Sequence, residues 1–551
     1  MFIFVEIAFL IPILKNGELA TTLSCPKEGE AMLQEIKPHE QSSGLIYDGV
    51  EWDYDKIKRV YDAIEHIALK EMGLDVYPNQ IEVITAEQML DAYSSIGMPL
   101  MYKHWSFGKH FARDEMMYRK GYRGLAYEIV INSSPCISYI MEENTMTMQT
   151  LVIAHAAFGH NHFFKNNQLF QQWTDAQGIL DYLEFAKTYI THCEERYGHA
   201  AVERVLDAAH ALMSQGVHKY PKKRSDLRTE QRRERERQEY QDQTFNDLWR
   251  TVPKPAAGQR PSKSVSERKK LLGLPEENIL YFLEKKAPRL EHWQREILRI
   301  VRHISQYFYP QKQTKVMNEG CATYVHYQIM SRLHETGQIS EGAFLEFLHS
   351  HTSVVFQPEF DDKRFSGLNP YALGFAMMQD IARIAEKPTD EDRQWFPDLA
   401  GRGDGMAAVR EAWANFRDES FVLQYLSPHL MRKLKLFSVR DDAEDPYLLV
   451  DHIHNERGYR DIRKKLARQY DLGYLEPDIQ IVDVDLAGDR KLILQHRVTN
   501  GVLLDESDAK AVLRHIANLW GYEVQLIEVS AISEAILKEH AVTAPSGVGV
   551  V

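Results

Sequence analysis

Cysteine is scarce in the 551 residues: Cys25, Cys136, Cys193 and Cys321 are widely separated and form no CxxC pair. So few scattered thiols exclude a disulfide-stapled scaffold and a zinc ribbon, and they suit a reducing, cytoplasmic setting. Positive charge is not in surplus either. With 66 Lys and Arg against 79 Asp and Glu, the net charge of -13 removes the broad basic face that nucleic acid or an anionic membrane requires. The signatures GxGxxG, GxxxxGK[ST] and GxSxG are all missing, so nucleotide-dependent and serine-hydrolase chemistry lose their usual support. The one long apolar run, MFIFVEIAFLIPIL at the start, contains Glu6 and Pro12. It lacks a basic leader and a small-residue cleavage site, and it is too short to cross a bilayer as a helix. No stable membrane insertion is expected, and residues 1–44 are read as a poorly ordered or non-native extension.

What is present describes an ordinary globular chain, 44% apolar, 26% charged and 11% aromatic. Its length exceeds what one hydrophobic core usually organises, so a large helical body with at least one smaller unit is expected. Ile57, Tyr61, Ile64, Ile67 and Ala68 form a helical stripe, a short strand is expected near Gln80–Thr85, and another at Ala126–Ile131. Helical patterning covers Thr147–Leu169 and Thr174–Gln215 and resumes from Pro275 to about Val439. Between them, Lys219–Gln241 mixes basic and acidic residues and Pro253–Ser266 is rich in Pro and Ser, the composition of a linker. After Pro477 the order becomes strand, strand, helix, strand, with a Gly488-Asp489 turn. The expected architecture is mainly α: a helical body with a small C-terminal α+β module. Its divisions are 45–218, a linker at 219–268, a second helical part at 269–475, the module at 476–530 and a mobile tail at 531–551.

Chemistry concentrates in two blocks. The first is His155-Ala-Ala-Phe-Gly-His160-Asn-His162, a run of histidines on an otherwise apolar helix. On an ideal helix His155 and His162 lie about 20° apart, whereas His160 points elsewhere unless the turn at Gly159 is distorted. The second is Met317-Asn-Glu319 through His326, where Glu319 and His326 share a helical face. Glu203 and His210 repeat that spacing. Imidazole and carboxylate on facing helices suit a divalent zinc, iron or manganese ion. The candidate ligands are His155, His160, His162, His210 and Glu319. Against this stands a structural reading, in which buried histidines and the nearby asparagines form a hydrogen-bonded core network. His349 and His351 are held in reserve.

The blocks HAAFGHNHFFKNN, QTKVMNEGCAT, HSHTSVVFQP, NPYALGFAM and FRDESFVLQYLSP, in this order from about Trp52 to Val529, resemble the SpoVR (stage V sporulation protein R) family. The resemblance implies a bacterial intracellular protein associated with spore cortex formation, or with stationary-phase physiology in bacteria that make no spores. The family usually has Trp where this chain has Cys321. The two principal blocks also share part of the pattern of helical zinc peptidases, where HExxH supplies two ligands and a base. Here position 156 is alanine and position 159 glycine, so the base must come from elsewhere, with Glu195 or Glu203 as candidates and His326 as a further catalytic candidate. Two functions are compatible with these features: a metal-dependent hydrolase, or a non-catalytic assembly or regulatory protein acting through an unidentified protein partner.

Overall fold

The computed structural model describes residues 44–95, 98, 100–119, 128–219, 272–360, 362–440, 449–452, 455–485 and 488–544. The N-terminal extension and the linker therefore lie outside the described residues, apart from Gly44 and Lys219. The chain is mainly helical with a small C-terminal sheet-plus-helix module, and it divides into two compact units. Among the described residues no helix is long and apolar enough to cross a membrane.

The first unit joins the chain up to Gln168 with Ala176–Leu180 and Lys315–Phe416. Its axis is a continuous rod in three parts: an α-helix at Met146–Ile153, a π-helical turn at Ala154–His160 and an α-helix at Asn161–Asn166. Thr145 begins it by accepting a hydrogen bond from the Met148 N–H at 3.1 Å, which satisfies one of the free donors of the first turn. Every residue from Gln149 to Phe164 is buried, as expected of a helix without a polar face. The rod packs against the Glu319 helix (Lys315–Glu335) and against a three-stranded sheet. That sheet has the order β1 (Asn79–Ile84), β3 (Cys136–Met141), β2 (Glu128–Ile131), with β1 parallel and β2 antiparallel to β3. Cys136 and Cys321 are free and buried.

Two contacts set how closely the helices approach. A Cβ on Gly159 would lie 2.5 Å from Ala322 Cα, and one on Gly320 would lie 2.6 Å from Gly374 Cα. The Glu319 helix is thus held at backbone distance from the rod on one side and from the Pro370–Glu386 helix on the other.

The second unit contains Leu169–Asp175, Asp181–Thr314 and Arg417 onward. It holds the helices His199–Ala211, Ile279–Lys286 and His292–Gln313, nearly all of Ile179–Tyr197, and a short antiparallel pair, β4 (Ser438–Arg440) and β5 (Leu449–His452). The C-terminal sheet runs β6 (Asp478–Val484), β7 (Leu492–Val498), β8 (Val524–Ser530), β9 (Ile536–Val542). The helix Glu506–Trp520 connects β7 to its parallel neighbour β8. It buries Leu513, Ile516 and Trp520, starts at the Asp505 cap and ends at Gly521, whose φ of 84° suits glycine.

The fourth strand corrects the expectation of a mobile tail over its described part, 531–544; residues 545–551 lie outside the described residues. Without that strand β8 would present an open edge of unpaired N–H and C=O groups. β9 pairs there from Ile536 to Val542 and buries His540, whose Nε2 lies 2.9 Å from Glu528.

Candidate metal centre

The π-helical turn decides which histidines meet. Its wider i→i+5 geometry absorbs one extra residue, so the five-residue step from His155 to His160 takes the place of a four-residue α-helical step of about 40°. The two rings stand edge to face with centroids 4.6 Å apart. His162, the partner favoured by an ideal helix, turns the other way. Its Nδ1 accepts from the Asp75 N–H at 3.0 Å and it packs against Trp413. Burial lowers its pKa to about 4, which suits a neutral ring pinning the backbone at Asp75.

Glu319 enters from its own helix. Its Oε2 lies 3.6 Å from His160 Nε2 and 4.0 Å from His155 Nε2, and this buried oxygen has no hydrogen-bond partner. Glu128, at the start of β2, brings its Oε1 to 3.6 Å from His155 Nε2. Burial, reinforced by the charge of Glu319, pushes the Glu128 carboxyl up to about 8. Tyr371, in the first turn of the Pro370–Glu386 helix, adjoins both carboxylates. Burial and then the charges of Glu319 and Glu128 hold its phenol well above its ordinary range.

The other ring nitrogens are tied down. His160 Nδ1 lies 2.9 Å from Asn318 Oδ1, and His155 Nδ1 lies 2.9 Å from His326 Nδ1. His326 Nε2 in turn lies 2.9 Å from His351 Nδ1. Burial, followed by the neighbouring histidines, keeps His155 well below the ordinary imidazole range, and the same holds for His326. Both are neutral rings at physiological pH, the form in which imidazole binds metals.

Glu128, His155 and His160 each offer a ligand atom within 4.8 Å of the others, the one such group among the described residues. Two donors about 2.1 Å from a tetrahedral ion stand about 3.4 Å apart. The contacts of 3.6 to 4.0 Å around the two Nε2 atoms are near that edge. Two imidazoles and two carboxylates suit zinc, iron or manganese.

Of the residues singled out from sequence, His155, His160, Glu319 and His326 come together and His162 does not. Glu195, Glu203 and His210 belong to the second unit, Glu195 and Glu203 with exposed side chains, and none enters this cluster. Sequence reasoning missed Glu128 and Tyr371. The signal for Glu128 was slight: a single acid opening an otherwise apolar strand, Glu128-Ile-Val-Ile131.

Residues 51–475 match the family model described as SpoVR like protein, and residues 477–531 match that described as SpoVR-like C-terminal domain. A curated relative from Escherichia coli (strain K12), named "Uncharacterized protein YcgB", is 55% identical over 482 residues, covering 87% of this chain and 93% of its own length. No solved structure matches the chain. The histidine rod, the Glu319 helix and strands β6 to β8 of the C-terminal sheet fall within the matched residues, and the chain belongs to the SpoVR family.

Proposed function

We propose that the first unit is a metal-dependent enzyme of hydrolytic type, with His155, His160 and Glu319 as ligands. The observation that carries this reading is the convergence of two imidazole Nε2 atoms on Glu319 Oε2, a buried oxygen without a partner. Leaving a buried carboxylate oxygen unpaired costs free energy on the order of a few kcal/mol, which a divalent cation relieves. The rival reading, a structural core network in a non-catalytic assembly or regulatory protein, leaves that oxygen unexplained.

When bound, the ion supplies Lewis acidity toward a substrate oxygen and lowers the pKa of a water. Glu128 fills the role that Ala156 cannot. Its Oε1 stands beside His155 Nε2; the carboxyl, raised to about 8 in the metal-free protein, would be ionised by the charge of a bound cation and would then take a proton from a water and return it to the leaving group. Asn318 orients His160 through Nδ1, and Tyr371 backs the Glu319 carboxylate. The cellular setting, spore cortex formation or stationary-phase physiology, belongs to the same proposal, as does a protein partner for the chain.

Elemental analysis of protein purified without an affinity tag tests the reading. Near-stoichiometric metal that survives dialysis is expected in the wild type and in Glu203→Ala, and is lost in His155→Ala and Glu319→Ala. Folded wild-type protein that takes up no zinc, iron or manganese overturns it.

A further inference from the structure

We infer that His326 and His351 are positioning residues, a two-imidazole relay that locks His155 into the tautomer able to bind a cation. The inference rests on the metal reading of the site and adds its outer layer. The three rings are joined by two contacts of 2.9 Å, His155 Nδ1 to His326 Nδ1 and His326 Nε2 to His351 Nδ1. All three are buried.

Each contact holds one proton between two nitrogens, so neutral rings have two self-consistent arrangements. In the outward arrangement His155 Nδ1–H donates to His326, and His326 Nε2–H donates to His351. His155 Nε2 is then a bare lone pair facing Glu319 and Glu128. In the inward arrangement His351 Nδ1–H donates to His326 Nε2, and His326 Nδ1–H donates to His155 Nδ1. His155 Nε2 then carries a hydrogen and cannot ligate. Conversion to the outward arrangement moves one proton across each contact, releases one from His155 Nε2 and takes one up at His351 Nε2, leaving the total unchanged. A cation on His155 selects the outward arrangement of all three rings. Metal-binding histidines commonly have their second nitrogen fixed by a carboxylate or carbonyl. Here the Ala322 carbonyl also accepts from the His155 ring, and His326, itself fixed by His351, shares that work.

The surroundings of His351 allow a clean test. It is enclosed by Tyr327, Phe347 and Phe375, so His351→Phe keeps an aromatic ring in an aromatic pocket while removing the acceptor for His326 Nε2–H. His351→Gln restores an acceptor through its amide oxygen. Zinc affinity is measured by competition with a chelator on the full chain, with urea midpoints of the metal-free proteins alongside. The expected result is a loss of about tenfold in zinc affinity in His351→Phe, with a lower metal-free urea midpoint because the buried His326 Nε2 loses its partner, and recovery of most of both losses in His351→Gln. Cobalt-loaded His351→Phe should show a visible spectrum shifted from wild type, whereas His351→Gln should match wild type. Unchanged zinc affinity in His351→Phe, or equal losses in both variants, overturns the relay while leaving the metal reading standing. A wild type that binds neither zinc nor cobalt overturns both.

Discussion

Gly159→Ala tests the geometry from which the candidate site is built. In an open helix this exchange stabilises by about 1 kcal/mol, because alanine loses less backbone entropy than glycine. Here the new Cβ would stand 2.5 Å from Ala322 Cα, 3.0 Å from Ala322 Cβ and 3.3 Å from Ala322 O. Ordinary contact begins at 3.4 Å, so the rod and the Glu319 helix must separate by about 0.9 Å, the difference between 3.4 and 2.5. The obstructing atoms are backbone and Cβ and cannot rotate aside. Overpacking of this kind costs about 1–3 kcal/mol, which offsets the propensity gain and leaves a net loss of up to about 2 kcal/mol. The same displacement exceeds the roughly 0.5 Å to which a functional constellation must be held. Zinc affinity should therefore fall by about tenfold or more. The assay is urea unfolding of the metal-free protein together with zinc titration against a chelator. Gly108→Ala is the control, since nothing lies within 4 Å of its added Cβ in the Trp105–Arg119 helix, and it should match or exceed wild-type stability. A Gly159→Ala protein as stable as wild type, with undiminished zinc affinity, would refute the close approach of the two helices.

Two further outcomes follow from the ionisable groups. Glu128 is raised from an ordinary 4.5 to about 8 by burial and by Glu319, so between those values the folded state holds a proton that the unfolded chain has released. Stability of the metal-free protein should fall as pH rises from about 4.5 to 8, and Glu128→Gln should flatten that slope in urea midpoints measured with chelator present. In the C-terminal module, burial works to raise the Glu528 carboxyl, but hydrogen bonds from His540, the Leu504 N–H and His496 outweigh it and hold it below its ordinary range. Its stabilising effect is therefore present above about 4.5 and lost as pH falls below it. Glu528→Ala, which leaves both imidazoles without their buried partner, should destabilise the module by on the order of 3 kcal/mol. Hydrogen exchange across β7, β8 and β9 measures this, and unchanged protection there would contradict the buried His-Glu-His arrangement.

The order of elements in the C-terminal module was legible because alternation in IQIVDVDL and KLILQHRV, and the cap and closing glycine around Glu506–Trp520, are local signals. Likewise, the central burial of the His155 block follows from its apolar character on all sides, and the turning of Glu319 and His326 toward the same histidine, His155, follows from their helical spacing. β9 was not legible, because Ile536–Val542 becomes a strand only against the edge that β8 offers. The choice of His160 over His162 was also decided by tertiary structure. A local pattern specifies an α-helical period, whereas the π turn accompanies the packing of Gly159 directly on Ala322. Glu128 and the His326–His351 relay reach His155 from separate strands and helices, and no periodicity links residues so far apart in the chain. Sequence alone determined which residue types are buried together; the three-dimensional packing of rod, sheet and Glu319 helix decided which of their nitrogen and oxygen atoms face one another.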